Sequence, residues 1–242
     1  MAQLNSKELT TLPVGRLGLI PLQSCRPLGE KVDEWLVQWR KERISPELDS
    51  FAFEGYRRDS YIVDVKTPRF GSGEGKGEIG ESVRGDDIYL MVDVCNHSLS
   101  YRISGFTNLM SPDDHFQNLM RLIQAVAGRA HRISVIMPSL YGGRQHRRVS
   151  RESLDCAFSL QQLRAVGVKN IITFDAHDPR VMNAVPTMSF DNVMPTYQVL
   201  KCLLHHVPDV SFHKDNFMIV SPDEGAMNRN MYYSSVLGCN LG

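Results

Sequence analysis

The chain has 242 residues, 42% of them hydrophobic, enough to bury a core in one large domain or one and a half smaller ones. Lysine plus arginine and aspartate plus glutamate both number 27, so the formal net charge is zero, and the chain carries no broad basic surface of the kind that non-specific nucleic-acid binding needs. No stretch approaches the ~20 apolar residues of a membrane span, and the opening MAQLNSKELTTLPVGR lacks the apolar run of a signal peptide.

These features lead us to expect a cytoplasmic protein with no membrane or nucleic-acid partner. Residues 1–15 are polar and carry no element. Arg16–Pro21 (RLGLIP) fits a short strand. Pro27–Trp39 fits a helix, because Leu28, Val32, Trp35, Leu36 and Trp39 recur at helical spacing. Residues 41–60 form a mixed, looped insertion. Tyr61–Val65 alternates like a strand, and a glycine-rich stretch with Gly71, Gly73, Gly75 and Gly77 suggests a flexible turn or hairpin.

Asp87–Val94 (DIYLMVDV) is an almost continuous apolar run, typical of a buried strand. Ser111-Pro112-Asp113-Asp114 is a helix start: serine caps, proline takes the first turn and an acid follows at the third position. That helix continues through Phe116, Leu119, Met120, Ile123 and Val126. Arg132–Pro138 is a strand, Glu152–Val166 a helix and Lys169–Asp175 a strand. Pro195–His206 is a helix, Asn216–Val220 a strand and Glu224–Leu237 a helix. Alternation of this kind indicates an α/β fold with a mainly parallel sheet flanked by helices.

The cysteines, Cys25, Cys95, Cys156, Cys202 and Cys239, are odd in number and contain no C-x-x-C pair. We read them as reduced thiols rather than a disulfide framework or a zinc site.

Ligands of open α/β sheets bind beyond the carboxyl ends of the strands. After the Arg132 strand, Arg144, Arg147, Arg148 and Arg151 fall within eight residues. Guanidinium groups there suit a polyphosphate clamp, and equally a solvated basic loop. After the Lys169 strand, His177 is flanked by Asp175, Asp178 and Arg180; it suits a metal or phosphate contact, or a packing role. After the Asn216 strand comes SPDEG. Ser221 with Glu224 fits a capping box, and Asp223 fits a metal ligand. The glycine-rich stretch is neither a Walker A loop nor G-x-G-x-x-G; Phe70 offers a flat face for a purine and Glu74 an acceptor for its amino group, or the pair simply anchors a hairpin.

Taken in order, these pieces resemble the ribose-phosphate pyrophosphokinases over about residues 60–230. RFGSGEGKGEIGESVRGDDIYL is similar to the family's R-F-x-D-G-E…E-N-V-R-G-x-D-[IV], and MPSLYGGRQHRR to P-Y-x-x-Y-[AS]-R-Q-D-R-[RK]. FDAHDPR is similar to D-[LI]-H-x-x-Q, and IVSPDEGA to V-[SA]-P-D-x-G.

The resemblance implies type I phosphoribosyltransferase-like tandem domains: an ATP-binding domain over residues 1–190 and an incomplete second domain over residues 191–242. It implies transfer of the pyrophosphoryl group of ATP to the C1 hydroxyl of ribose 5-phosphate, and a homo-oligomer, commonly a hexamer. By position, Phe70 would stack on adenine, with Ser72, Gly73 and Glu74 at its edge. Arg144 and Gln145 would hold adenine and phosphates, Arg147 the phosphates, and His177 and Asp223 Mg²⁺. No catalytic residue is assigned: the family's catalytic and acidic ribose-phosphate loops would fall beyond Gly242, so the chain as given is expected not to turn over. Ser72 and His146 stand where the family has aspartate, Arg180 where it has glutamine, and Ala184-Val185 where it has a glycine-aromatic pair. A non-catalytic, nucleotide-sensing homologue is the alternative.

Overall fold

A computed structural model describes residues 13–42, 55, 58–207 and 209–242. Most of the polar start and of the 41–60 insertion lies outside the described residues. The chain divides into two compact units, Met1–Val193 and Met194–Gly242.

The first unit runs in order β1 (Leu17–Pro21), α1 (Arg26–Glu42), β2 (Val65–Lys66), β3 (Glu78–Ile79), β4 (Asp87–Met91), β5 (Ser100–Ile103), β6 (Phe106–Leu109), α2 (Pro112–Val126), β7 (Arg132–Ile136), α3 (Asp155–Ala165), β8 (Asn170–Phe174) and β9 (Ser189–Val193). Its main sheet is parallel, in the order β1-β4-β7-β8-β9. Tyr61–Val63 extend it beyond β1: Leu19 N–H donates to the Tyr61 carbonyl at 2.7 Å, and Val63 N–H donates to the Leu19 carbonyl at 2.8 Å. β1 is therefore flanked on both sides, and the chain reverses its direction of travel across the sheet between β1 and β4.

Ile20, Leu90, Val135 and Ile171 lie opposite one another on four strands, and all are fully buried. They join Leu119, Leu122, Ile123 and Val126 of α2 and Leu160 and Leu163 of α3 in one core. Side chains alternate between the faces of a strand. Met91, next to Leu90, accordingly meets Gly29 of α1 on the opposite face. Helices thus cover both faces of the sheet.

α1 forms where periodicity places it, but it buries a different face. Leu28, Trp35 and Trp39 are exposed, while Gly29 and Asp33 are buried. The cause is close approach: a Cβ at Gly29 would lie 2.3 Å from the Pro21 Cβ, so no large apolar residue fits at that contact. Asp33 is buried because its carboxylate accepts from Tyr61 N–H at 2.6 Å and Ser60 Oγ at 2.8 Å, tying the helix to the added edge.

α2 begins as its sequence indicates. Ser111 Oγ accepts from Asp114 N–H at 3.1 Å, and Asp114 Oδ2 accepts from Ser111 N–H at 3.0 Å. Burial by itself would raise the Asp114 carboxyl; the bonds from Ser111 and Arg69 outweigh it and hold the group below its ordinary value. A carboxyl depressed in the folded state contributes stability above its unfolded range, and that contribution is lost as pH falls through the folded value. Ser111→Ala is expected to lower stability by about 1 kcal/mol at neutral pH, and the gap from the parent should narrow below about pH 4. Melting curves taken across that range check this; a gap that stays constant in acid would refute it.

The strands β5, β6 and β9 have no counterpart among the elements expected from the sequence. β5 and β6 form an antiparallel hairpin closed by Ser104 (φ 48°) and Gly105 (φ 89°), the paired positive angles of a tight hairpin turn. β9 adds a half-exposed fifth strand, and it belongs to the first unit.

The second unit contains α4 (Thr196–His206), β10 (Met218–Ile219), α5 (Met227–Leu237) and β11 (Asn240–Leu241), with β10 and β11 parallel. α5 ends at Gly238, whose φ of 66° suits glycine. A short 3₁₀ turn, Glu224–Ala226, precedes α5. The Ser221–Glu224 capping box does not form. Asp223 caps that turn, accepting from Ala226 N–H at 2.8 Å, while Ser221 Oγ donates to the Asp223 carbonyl.

All five cysteines are free. Cys25 and Cys156 are buried, which pushes their thiols up to about 12 and about 11 and keeps them protonated. Among the described residues no helix is long and apolar enough to cross a membrane.

Candidate functional site

The glycine-rich stretch folds into the β2–β3 hairpin, and its connecting segment turns sharply at 70–74. Phe70 N–H donates to the Glu74 carbonyl at 2.8 Å, and Gly73 N–H donates to the Phe70 carbonyl at 2.9 Å. Phe70 is 57% exposed, so the face of its ring is accessible to a ligand. Ser72 Oγ lies 2.8 Å from Glu74 Oε2 and donates to it, which leaves the lone pairs of the hydroxyl as acceptors.

The glycines serve close packing more than flexibility. A Cβ at Gly73 would meet Ile103 Cδ1 at 2.6 Å, and one at Gly77 would meet the Arg121 backbone at 2.9 Å. The hairpin thus lies against α2 on one side and the β5–β6 hairpin on the other. Arg69 ties the arrangement together, bonding to the Gly73 carbonyl and to Asp114, each at 2.9 Å.

The basic loop after β7 is anchored at the start of α3. A Cβ at Gly142 (φ 69°) would sit 3.0 Å from Cys156 N, so the loop lies directly on the helix terminus. Gln145 N–H donates to Gly142 O at 2.8 Å, Gln145 Nε2 donates to Ser153 O at 2.7 Å, and Gln145 O accepts from Cys156 N–H at 3.3 Å. Gln145 therefore pins the loop, while Arg144, Arg147, Arg148 and Arg151 are exposed around it. Glu152 accepts from Val149 N–H at 2.6 Å and Ser150 N–H at 3.3 Å. Those bonds hold it in the loop, so α3 begins at Asp155 and not at 152.

The segment after β8 begins at Asp175, a non-glycine residue with φ 48°. Its neighbour His177 is exposed. Asp178 is buried and caps a 3₁₀ turn, Pro179–Ala184. The Arg180 guanidinium grips its carboxylate at 2.6 and 3.0 Å, and this bond chiefly holds the group well below the usual carboxylate range. His146 Nε2 lies 3.5 Å from the same carboxylate, and its ring is 5.3 Å from that of His177. The loops after β7 and β8 therefore meet at His146, His177 and Asp178. Asp223 belongs to the second unit, where one carboxylate oxygen holds the turn that precedes α5.

The reversal between β1 and β4 marks the crevice where α/β sheets bind ligands. Here it holds a polar network: Asp93 N–H donates to Ser24 Oγ at 3.2 Å, Asn96 Nδ2 donates to Ser24 O at 3.0 Å, and buried His115 lies 2.8 Å from Asn96 O. Sequence reasoning passed over Ser24, Asn96 and His115. The direct pairing of β1 with β4 brings them together, while Tyr61–Val63 pair on the far side of β1, and alternation alone does not reveal that order.

Residues 17–167 match the family model of the N-terminal domain of ribose phosphate pyrophosphokinase. The chain is 25% identical over 175 residues to ribose-phosphate pyrophosphokinase A of Dictyostelium discoideum, covering 72% of this chain and 49% of that one. It is 26% identical over 182 residues to ribose-phosphate pyrophosphokinase B of the same organism, covering 74% and 51%. Its fold is similar to that of the phosphoribosylpyrophosphate synthetase from Mycobacterium smegmatis, with a TM-score of 0.70 at 19% identity over 93% of this chain and 63% of that one. The chain spans about half the length of the curated relatives it matches.

Proposed function

Because the chain belongs to the ribose-phosphate pyrophosphokinase family, we propose that it forms the ATP-binding part of an enzyme that transfers the β,γ-pyrophosphoryl group of ATP to the C1 hydroxyl of ribose 5-phosphate. In that step the hydroxyl oxygen bonds to the β-phosphorus, the bond from that phosphorus to the AMP oxygen breaks, and the hydroxyl proton is released. Most of the catalysis is positioning and charge neutralisation along an in-line path.

The observation that carries this reading is the meeting of the β7 and β8 loops. His146 and His177 bring the arginine loop and the histidine loop to one end of the sheet. On this reading Phe70 stacks on adenine, and Ser72, Gly73 and Glu74 meet its edge. Ser72 replaces an acid, yet its proton is directed to Glu74, so it still offers an acceptor to the amino group. Arg144 and Arg147 hold phosphates, and Gln145 holds the loop that carries them.

Mg²⁺ usually takes only one or two protein ligands when it rides on substrate phosphates. Among the described residues no three His, Cys, Asp or Glu side chains gather into a metal cage. His177 suits a nucleotide-borne ion of that kind, which would neutralise charge on the phosphate oxygens.

One observation favours a second reading, a nucleotide-binding regulatory homologue. Arg180 occupies the Asp178 carboxylate beside His177 and places a positive charge where the family has a neutral glutamine. Two measurements separate the readings. One is MgATP binding by calorimetry. The other is AMP release in the presence of ribose 5-phosphate and Mg²⁺, using the chain alone and the chain joined to the C-terminal half of a relative. We expect binding by both and AMP release from the joined form. Binding without release in either form would favour the regulatory reading, and no binding at all would sink both.

A further inference from the structure

Arg69 precedes Phe70, and the two side chains go opposite ways. The ring is open to solvent, whereas the Arg69 side chain is only 12% exposed. Its guanidinium meets three elements. One nitrogen donates to the Gly73 carbonyl at 2.9 Å and closes the turn from within. Another donates to Asp114 Oδ1 at 2.9 Å, on the same carboxylate that receives the Ser111 N–H at the start of α2. The guanidinium carbon lies 4.2 Å from the ring centre of Tyr101 on β5, within the range of a cation–π contact.

Gly73 supplies a second pin, because it packs so closely on Ile103 that a Cβ would lie 2.6 Å from its side chain. Tyr101 and Ile103 are two residues apart on one strand and share a face of the β5–β6 hairpin. Arg69, which immediately precedes the turn, and Gly73, its fourth residue, are therefore both fastened to that face, with Phe70 and Ser72 between them and Glu74 directly after. A flexible turn would have to be ordered by its ligand, at the expense of affinity; a fastened one is ordered in advance.

Resting on the reading of this turn as the base-recognition segment, we propose that Arg69 is a positioning residue for the nucleotide base. It locks the 70–74 turn between the β5–β6 hairpin and α2, so that Phe70 and Glu74 are held at a fixed spacing. Lysine does not substitute for it. A single ammonium on a flexible stem lacks the planar fork that bonds two carbonyl-type oxygens while stacking on a ring.

The test compares two ligands, MgATP and magnesium tripolyphosphate, the second having the phosphates but no base. Arg69→Lys is expected to weaken MgATP binding about tenfold, the scale of reordering one or two side chains on binding, and to leave tripolyphosphate affinity within about twofold. Tyr101→Leu, which keeps both hydrogen bonds of Arg69 and removes only the stacking, is expected to show the same selective loss at about threefold. It stands as the second variant should Arg69→Lys fail to fold. Equal loss of both ligands would overturn the proposal, because a merely structural residue affects both. Unchanged MgATP affinity in both variants would also overturn it, while leaving the base reading of the turn intact. A parent chain that binds ATP no better than tripolyphosphate would overturn that base reading and this role together.

Discussion

Replacing His177 with alanine is expected to weaken Mg²⁺-dependent nucleotide binding about a hundredfold or more, since even residues that only support a metal ligand change metal affinity 10–100-fold. The same variant should keep its melting temperature within about 2 °C, because exposed positions usually contribute less than about 0.5 kcal/mol. The two halves of this expectation come from the same geometry. His177 is exposed, so its loss opens no cavity. Its ring contact is with His146, whose other contacts, to Arg144 O and Asp178, do not need it. Calorimetry with MgATP and with ATP in a chelator separates the outcomes. Parent and variant should differ strongly in the first titration and hardly in the second. A folded variant that binds MgATP like the parent removes His177 from the site.

Leu119→Ala is expected to cost about 3–4 kcal/mol and to lower the melting temperature by about 10 °C. Leu119 is 0% exposed and sits at the centre of the core between α2 and the sheet. Truncation removes its transfer free energy and leaves a cavity lined by Leu122, Ile123 and the strand residues, which are themselves fixed by sheet register. Leu28→Ala on α1 is the control. Leu28 is 40% exposed, and its loss should change stability by less than about 0.5 kcal/mol. Chemical denaturation of the two variants measures the contrast. Similar losses for both would mean that the apolar stripe of α1 is buried in solution.

That contrast also shows where the sequence was legible. α2 announced itself twice, by the Ser111–Asp114 cap and by an apolar period that does face the core. β4, β7 and β8 were readable as buried apolar runs because parallel strands covered on both faces need nothing else. α1 was readable as a helix but not in its orientation. Its buried face is chosen by Gly29 and Asp33, one for its lack of a side chain and the other for its hydrogen bonds, and hydrophobic periodicity registers neither. The Ser104-Gly105 pair between Tyr101, Ile103 and Phe106 is a local turn signal, but it says nothing of what the hairpin packs against. β9 gave little signal, since SFDNV is half polar and half exposed.

The candidate site divides in the same way. Ordered motifs pointed to Phe70, Glu74, Arg144, Gln145 and His177. Their surroundings were not readable. Arg69, Tyr101 and Asp114 lie up to 45 positions apart in sequence and meet only because the β5–β6 hairpin and α2 pack against the same turn.

One consequence lies in the backbone at Asp175, two residues before His177. Its left-handed angle is one that glycine adopts freely and that most other residues hold against a penalty. In the genetic code aspartate and glycine are separated by a single base, so a relaxed version of this corner lies one mutational step away. The chain nevertheless carries a carboxylate there. Aspartate is one of the few residues besides glycine that enter this region readily, because its short polar side chain can bond locally, so the corner ahead of His177 is turned without the extra chain entropy that a glycine would lose on folding.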